Sequence, residues 1–239
     1  MERIIGILGG MGPGATADAF SKLVSHTPAK KDQEHIPVVI ASLPGIPDRT
    51  ENIIYNGPSP LSGMLNSLKI LEDAGASCII MPCNTAHYWY EDLKESTQAT
   101  FLSIIEATCQ RIINDRRDSV AILATTATIR ASLYQRRLTS EGVKCIIPDD
   151  LNQSKIMQSI ISYKSGNYAL AFNLMAPYIR ELDKKGVNSF IMGCTEIPLI
   201  LKSLAHEKPG VFIDATDELI KQALNWYYTE PNNCIRNLT

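Results

Sequence analysis

Short apolar runs bounded by glycine and proline alternate with longer stretches whose apolar residues recur at helical spacing. The first run, RIIGILGG (3–10), reads as a buried strand entering a tight loop. The loop GGMGPGAT (9–16) leads into a helix over about 16–26, and IPVVIAS (36–42) is a second buried strand. The prolines of PGIPDRTENI (44–53) argue against regular structure until about residue 60. Leu61, Met64, Leu65, Leu68 and Leu71 then share one helical face that stops before Gly75. A strand over 77–82 delivers Cys83, and a helix covers about 85–97. The order returns with a strand at 119–124, a helix over about 128–141 stopped by Gly142, and a strand at 143–147. A helix over about 152–164 carries Ile156, Ile160 and Ile161, and a second helix runs on to Lys185. The strand 188–193 delivers Cys194; a last strand (211–214) and a helix over about 216–228 precede a polar tail containing Cys234.

One stretch occurs twice. Residues 71–83 (LEDAGASCIIMPC) and 182–194 (LDKKGVNSFIMGC) align at an offset of 182 − 71 = 111. Leu71 then matches Leu182, Gly75 matches Gly186, Met81 matches Met192 and Cys83 matches Cys194. Alternating short apolar strands and helices predict an α/β fold: two similar domains, each a mostly parallel sheet covered by helices. The duplication relates them by a pseudo-two-fold, with paired thiols facing a shared cleft. In such sheets ligands sit beyond the carboxyl ends of the strands. The polar residues fall there: Gly9–Thr16, Arg49, Cys83–His87, Thr125–Thr128, Lys164 and Cys194–Glu196.

Composition narrows the classes. A chain of 239 residues, 45% apolar and 20% charged, is ordinary for a soluble globular protein. Its net charge of −2 provides no basic footprint, so nucleic acid is not an expected partner. No apolar run approaches the roughly 20 residues of a membrane span, and the first residues lack the pattern of a signal peptide. The expected location is the cytoplasm, with reduced thiols. The six cysteines contain no CxxC pair. Cys83 and His87 have metal-compatible spacing, but no second ligand pair completes a site, so no metal is expected. Cys78, Cys109 and Cys145 read as buried small hydrophobes.

Gly10, Gly12 and Ala15 satisfy G-x-G-x-x-A after a strand, yet the next strand ends Ala41-Ser42-Leu43-Pro44 without the acid that holds a ribose. The loop still suits close approach of a small anionic substrate to the backbone. Cys83 and Cys194 each sit between a strand and a helix start, a setting that lowers a thiol pKa. Paired thiols suit proton transfer, one as base on one face of a carbon and the other as acid on the opposite face. No lysine motif supports a pyridoxal cofactor, and no cofactor is expected.

MPCNTAH (81–87), MGCTEIPL (192–199), GGMGPGAT (9–16) and PDRT (47–50) resemble the cofactor-independent aspartate racemases of the aspartate/glutamate racemase family. The resemblance covers essentially the whole chain. Glutamate racemases of that family begin with Asp-Ser-Gly and carry histidine after the second Cys-Thr, where this chain has Glu196. The resemblance implies that Cys194 removes the α-proton from the L-amino acid and Cys83 from the D-amino acid. It implies that Arg49 and Lys164 bind carboxylates, with Asn84, Thr85, Thr126 and Thr195 around the substrate. Met11, Gly12, His87 and Glu196 stand behind them, the last two as groups that tune a thiol, orient substrate or cap structure. It further implies a homodimer, and it assigns 1–104 with 209–239 to the first domain and 105–208 to the second; periodicity alone does not decide where the C-terminal segment goes. Two alternatives stand beside aspartate racemisation: a racemase of glutamate or a broader amino-acid set, and a non-catalytic nucleotide- or metabolite-binding protein.

Overall fold

A computed structural model describes residues 3–229. The first half comprises β1 (Ile5–Gly9), α1 (Pro13–His26), β2 (Val38–Ser42), α2 (Arg49–Tyr55), α3 (Leu61–Asp73), β3 (Cys78–Ile80), α4 (Tyr90–Glu95) and β4 (Thr100–Leu102), followed by α5 (Ile104–Asn114). The second comprises β5 (Ser119–Ala124), α6 (Thr126–Arg130), α7 (Gln135–Ser140), β6 (Lys144–Ile146), α8 (Asp150–Lys164), α9 (Tyr168–Lys184), β7 (Phe190–Gly193), α10 (Ile197–Ile200), α11 (Lys202–Glu207) and β8 (Phe212–Asp214). The last described element is α12 (Ala215–Thr229). Two parallel four-stranded sheets result, ordered β2-β1-β3-β4 and β6-β5-β7-β8. Strands β1 and β7 are buried along their whole length, as parallel strands covered by helices on both faces must be. The expected two-sheet α/β architecture is therefore what the chain adopts. Among the described helices none is long and apolar enough to cross a membrane.

The duplication extends to hydrogen-bond register. Ile79 pairs with Phe101 and Ile80 with Leu102; 111 residues on, Phe190 pairs with Phe212 and Ile191 with Ile213. Ser103 then accepts from the Glu106 N–H to cap α5, and Asp214, also 111 residues later, accepts from the Thr216 and Asp217 N–H groups at the start of α12. This corrects the place of the C-terminal strand. β8 is the second copy of β4 and belongs to the second sheet, not to the first domain. The helix after it does lie against the first half, since α12 packs on α1, while α5 packs on α7 of the second half. Each half thus sends its last helix across, and the two helices pack on one another. One central core results, in which Ile5, Ile7 and Ile80 meet Val120, Ile122 and Ile191 together with Leu219 and Ile220.

Other departures have local causes. Helix α2 occupies part of the segment expected to be irregular, because the Asp48 carboxylate accepts from the Thr50 and Glu51 N–H groups and nucleates a turn despite the nearby prolines. The expected helix at 128–141 is broken where Ser132 takes a left-handed φ of 54°, which separates α6 from α7. The expected helix at 85–97 opens as a tight 3₁₀ turn over Thr85–Trp89 before α4. Residues 98–118, to which the pattern assigns no element, hold β4 and α5. Cys234 lies outside the described residues.

The matched caps make a direct comparison. Ser103→Ala is expected to cost about 1 kcal/mol, the usual loss of a helix cap. Asp214→Ala is expected to cost roughly 2 kcal/mol, because it also removes one of the two carboxylates that pair with Lys22, whose ammonium lies 2.7 Å from Asp214 and also meets Asp18. Urea-unfolding midpoints of the two variants check this; equal costs would remove the ion pair from the account.

Candidate active site

Three loops at the carboxyl ends of the strands build the site. After β1 the chain turns through Gly10, whose φ of +91° and whose approach to the Leu43 backbone, 2.4 Å from an added Cβ, leave space for glycine alone. The Thr16 hydroxyl ties this loop, accepting from the Gly10 N–H at 2.9 Å and donating to the Gly12 carbonyl at 3.0 Å. The Gly10 amide is thus engaged within the protein, not offered to a phosphate. After β3, Met81 and Pro82 lead to Cys83 and the 3₁₀ turn; after β7, Cys194 leads directly towards α10. Both cysteines are buried at 6% exposure, at equivalent ends of equivalent strands.

They line one cavity with Met11, Arg49, Asn84 and Thr85 from the first half and Lys164, Thr195 and Glu196 from the second. The cavity measures about 20 Å³, close to the room one water molecule needs. Asp48, Thr50 and Thr125 also line it. The first two flank Arg49 in the PDRT motif and Thr125 lies in a loop already marked as polar, so their neighbours were the available signal. Thr126 lies outside, in an adjoining groove of about 630 Å³, where its hydroxyl accepts from Gln153 at 3.2 Å. Gly12 does not line the cavity; a Cβ there would stand 3.7 Å from Glu196.

Arg49 is buried at 8% exposure, and its guanidinium donates to the Met11 carbonyl at 3.1 Å and to those of Pro47 and Ile46 at 3.1 and 3.4 Å. These carbonyls orient the fork but leave its charge without an ionic partner, since among the described residues no carboxylate pairs with it. Its Nε is also buried without a hydrogen bond. Lys164 is paired, its Nζ 3.5 Å from Glu196 Oε1. Burial opposes the Lys164 charge, but Glu196 and the two thiols outweigh it and hold its pKa above the ordinary value.

The two thiols stand in unlike surroundings. The Cys194 S–H donates to Glu196 Oε2 at 2.9 Å. Burial, reinforced by the Glu196 carboxylate, pushes the Cys194 thiol well above its ordinary pKa, while Lys164 pulls the other way. This corrects the expectation of a lowered pKa: the helix start beside Cys194 is only the four-residue α10, too short for its dipole to offset desolvation. At the place corresponding to Glu196 the first half has Thr85, whose hydroxyl is 2.8 Å from that of Thr125 and 3.1 Å from that of Thr128. A carboxylate stands beside one cysteine and a ring of hydroxyls beside the other.

A family model for Asp/Glu/Hydantoin racemase matches residues 8–223. The chain belongs to this family. The solved aspartate racemase of Picrophilus torridus is similar over 94% of each chain, with a TM-score of 0.86 and 32% identity. The broad specificity amino-acid racemase RacX of Bacillus subtilis is 28% identical over 94% of this chain and 98% of its own. The glutamate racemase of Aquifex pyrophilus is 26% identical over 65% of this chain and 60% of its own. The relatives share amino-acid racemisation in their names and differ in the amino acid.

In this racemase-family site His87 is a clamp. Its Nε2 accepts from the Ile104 N–H at 3.0 Å, which places its proton on Nδ1, directed at the Cys83 carbonyl 2.9 Å away. Both nitrogens are occupied, and the imidazole ties the Cys83 loop to the start of α5. Burial depresses its pKa to about 4, so it stays neutral and contributes no charge to the thiol. Among the other cysteines Cys78 and Cys109 are buried and Cys145 is partly buried, and burial pushes Cys109 up to about 12. Among the described residues no group of three or more histidine, cysteine, aspartate or glutamate side chains is placed to hold a metal.

The clamp carries a pH dependence. The unfolded imidazole takes up a proton near pH 6.5 and the folded one near 4, so between those values the unfolded state binds more protons. Stability conferred by neutral His87 is full above pH 6.5 and falls as pH drops towards 4, by about 3 kcal/mol in all. His87→Gln is expected to flatten this segment of the stability profile, measured as urea midpoints between about pH 7.5 and 4.5, the window in which histidine titrates.

Proposed function

We propose that the protein is a cofactor-independent amino-acid racemase that interconverts L- and D-aspartate by proton transfer between two thiols. The observation that carries this reading is the buried, ionically unpaired Arg49 guanidinium in the same cavity as Cys83 and Cys194. A buried charge requires a partner, and a carboxylate of the substrate supplies one in bidentate geometry. Lys164 offers a second cation on the opposite wall for a second carboxylate, which favours a dianionic amino acid.

With the D-enantiomer bound, the Cys83 thiolate takes the α-proton, and the C–H electron pair passes into the carboxylate held by Arg49. The Cys194 thiol gives its proton to the opposite face, forming the L-enantiomer and leaving a thiolate. The reverse reaction begins from that state, with Cys194 as base and Cys83 as acid. When the free enzyme must reach the form that takes the L-enantiomer, Glu196, within hydrogen-bond reach of Cys194, accepts the Cys194 thiol proton and passes it to water, while the Cys83 thiolate takes one proton from water. Asn84, Thr85 and Thr195 supply amide and hydroxyl contacts around the substrate. Thr126 stands in the adjoining groove, beside Lys164. Since the cavity is far smaller than an amino acid, α2 and α6, which face each other across the cleft, separate to admit substrate.

Glutamate or a broader amino-acid set is the second reading. It is favoured by the groove beside the cavity, whose walls include Ile54, Tyr55, Met157 and Ile161 and which offers room to a longer side chain.

Exchange of the α-proton into deuterated solvent, followed by NMR over L- and D-aspartate, glutamate and neutral amino acids, tests both. Cys83→Ala and Cys194→Ala are each expected to lower racemisation by about 10²–10⁴-fold. Full activity in either variant would sink the two-thiol mechanism, and preference for a neutral amino acid would remove the role given to Arg49 and Lys164. Glu196→Gln removes one of the two causes that raise Cys194, so the thiol titrates at lower pH. The rise with pH of iodoacetamide labelling at Cys194, read by mass spectrometry, is expected to shift downward; an unmoved profile would separate Glu196 from the thiol.

A further inference from the structure

We infer that Tyr134 is a positioning residue for proton transfer, holding the Asn84 side chain with its NH₂ group turned to the cavity. This rests on the proposed racemase reading of the site and adds a residue that does not touch the cavity. Tyr134 is fully buried in the second half, between α6 and α7, yet its hydroxyl donates to Asn84 Oδ1 in the first. Asn84 follows Cys83 directly and lines the cavity. With Oδ1 occupied, the amide presents its nitrogen to the remaining surroundings, and that nitrogen is buried without a hydrogen-bond partner in the protein.

An orphaned donor at a strand end beside a proposed base suits an oxygen on which negative charge grows. Removing an α-proton puts charge on the carboxylate oxygens of the substrate, and a donor fixed beforehand stabilises that change without reorganising. Tyr134 supplies the fixing. Burial pushes its phenol far above the ordinary value, so it remains a neutral O–H donor throughout. The ring, packed in the central core, also meets the end of β7: a Cβ on Gly193, the residue before Cys194, would lie 3.0 Å from Tyr134 Cε2. One side chain therefore braces both cysteine loops, by its hydroxyl on the Cys83 side and by its ring on the Cys194 side. Sequence pattern has no means to single it out, since it falls as one aromatic residue within an expected helix.

Tyr134→Phe retains the ring and removes the donor. Rates of α-proton exchange and racemisation, together with urea midpoints, are measured for wild type, Tyr134→Phe, Asn84→Ala and the double variant, using the amino acid that the wild type turns over fastest. The expected result is a fall in kcat of roughly 10²-fold in each single variant, with smaller changes in KM. The double variant is expected to match Asn84→Ala, because the hydroxyl acts through the amide. Wild-type kcat in Tyr134→Phe, or multiplicative losses in the double variant, would overturn the inference while leaving the racemase reading intact. A wild type that exchanges no α-proton of any amino acid overturns the racemase reading, and this inference with it. If Tyr134→Phe does not fold, Asn84→Asp decides: it keeps an acceptor for Tyr134 but offers no donor, so an undiminished kcat would overturn the assignment.

Discussion

The ladder between neighbouring parallel strands sets the geometry of the whole molecule. Ile79 and Ile80 pair with Phe101 and Leu102 as Phe190 and Ile191 pair with Phe212 and Ile213. Because β3 and β7 are locked in the same register in their own sheets, each releases its chain at the same relative position, and each release point leads to a cysteine. A slip of one residue would turn every side chain of the strand to the other face. The central core shared by the two sheets then faces the release points towards one cleft.

On this symmetric frame the chemistry is unequal. Cys194 has a carboxylate at hydrogen-bond distance, whereas the corresponding position near Cys83 is Thr85, tied into a cluster with Thr125 and Thr128. The difference lies in two side chains at matched positions, so the backbone can stay duplicated while the thiols stand in different surroundings. The clamp at His87 has no counterpart in the other half: the residue 111 positions later is Pro198, which starts a helix without binding the preceding loop.

Much of the architecture was legible because parallel strands are written as short, continuous apolar runs, and both sheets were anticipated from them. The cysteine pair and its charged neighbours were legible through the repeat and through motifs at strand ends. What escaped the pattern depended on contacts remote in sequence or on single side chains. β4 has three residues, too few for periodicity, and went unread together with α5; β8 was read as a strand, but nothing in the pattern says which sheet it joins. Asp48 overrode its prolines by one cap. Tyr134 meets Asn84 across fifty positions of chain, and Thr126 has the same local signature as Thr125 yet lines the neighbouring groove without reaching the cavity.

The exchanged helices also impose an order on synthesis. The apolar face formed by Ile5, Ile7, Ala19 and Leu23 is covered by Leu219, Ile220, Ala223 and Trp226 of α12, the last helix described. A growing chain therefore holds the first sheet with an uncovered face until nearly all of the second half has left the ribosome. The first half cannot close its core ahead of the second, as an independent N-terminal domain would. The two halves look like separable modules, but they mature as one object.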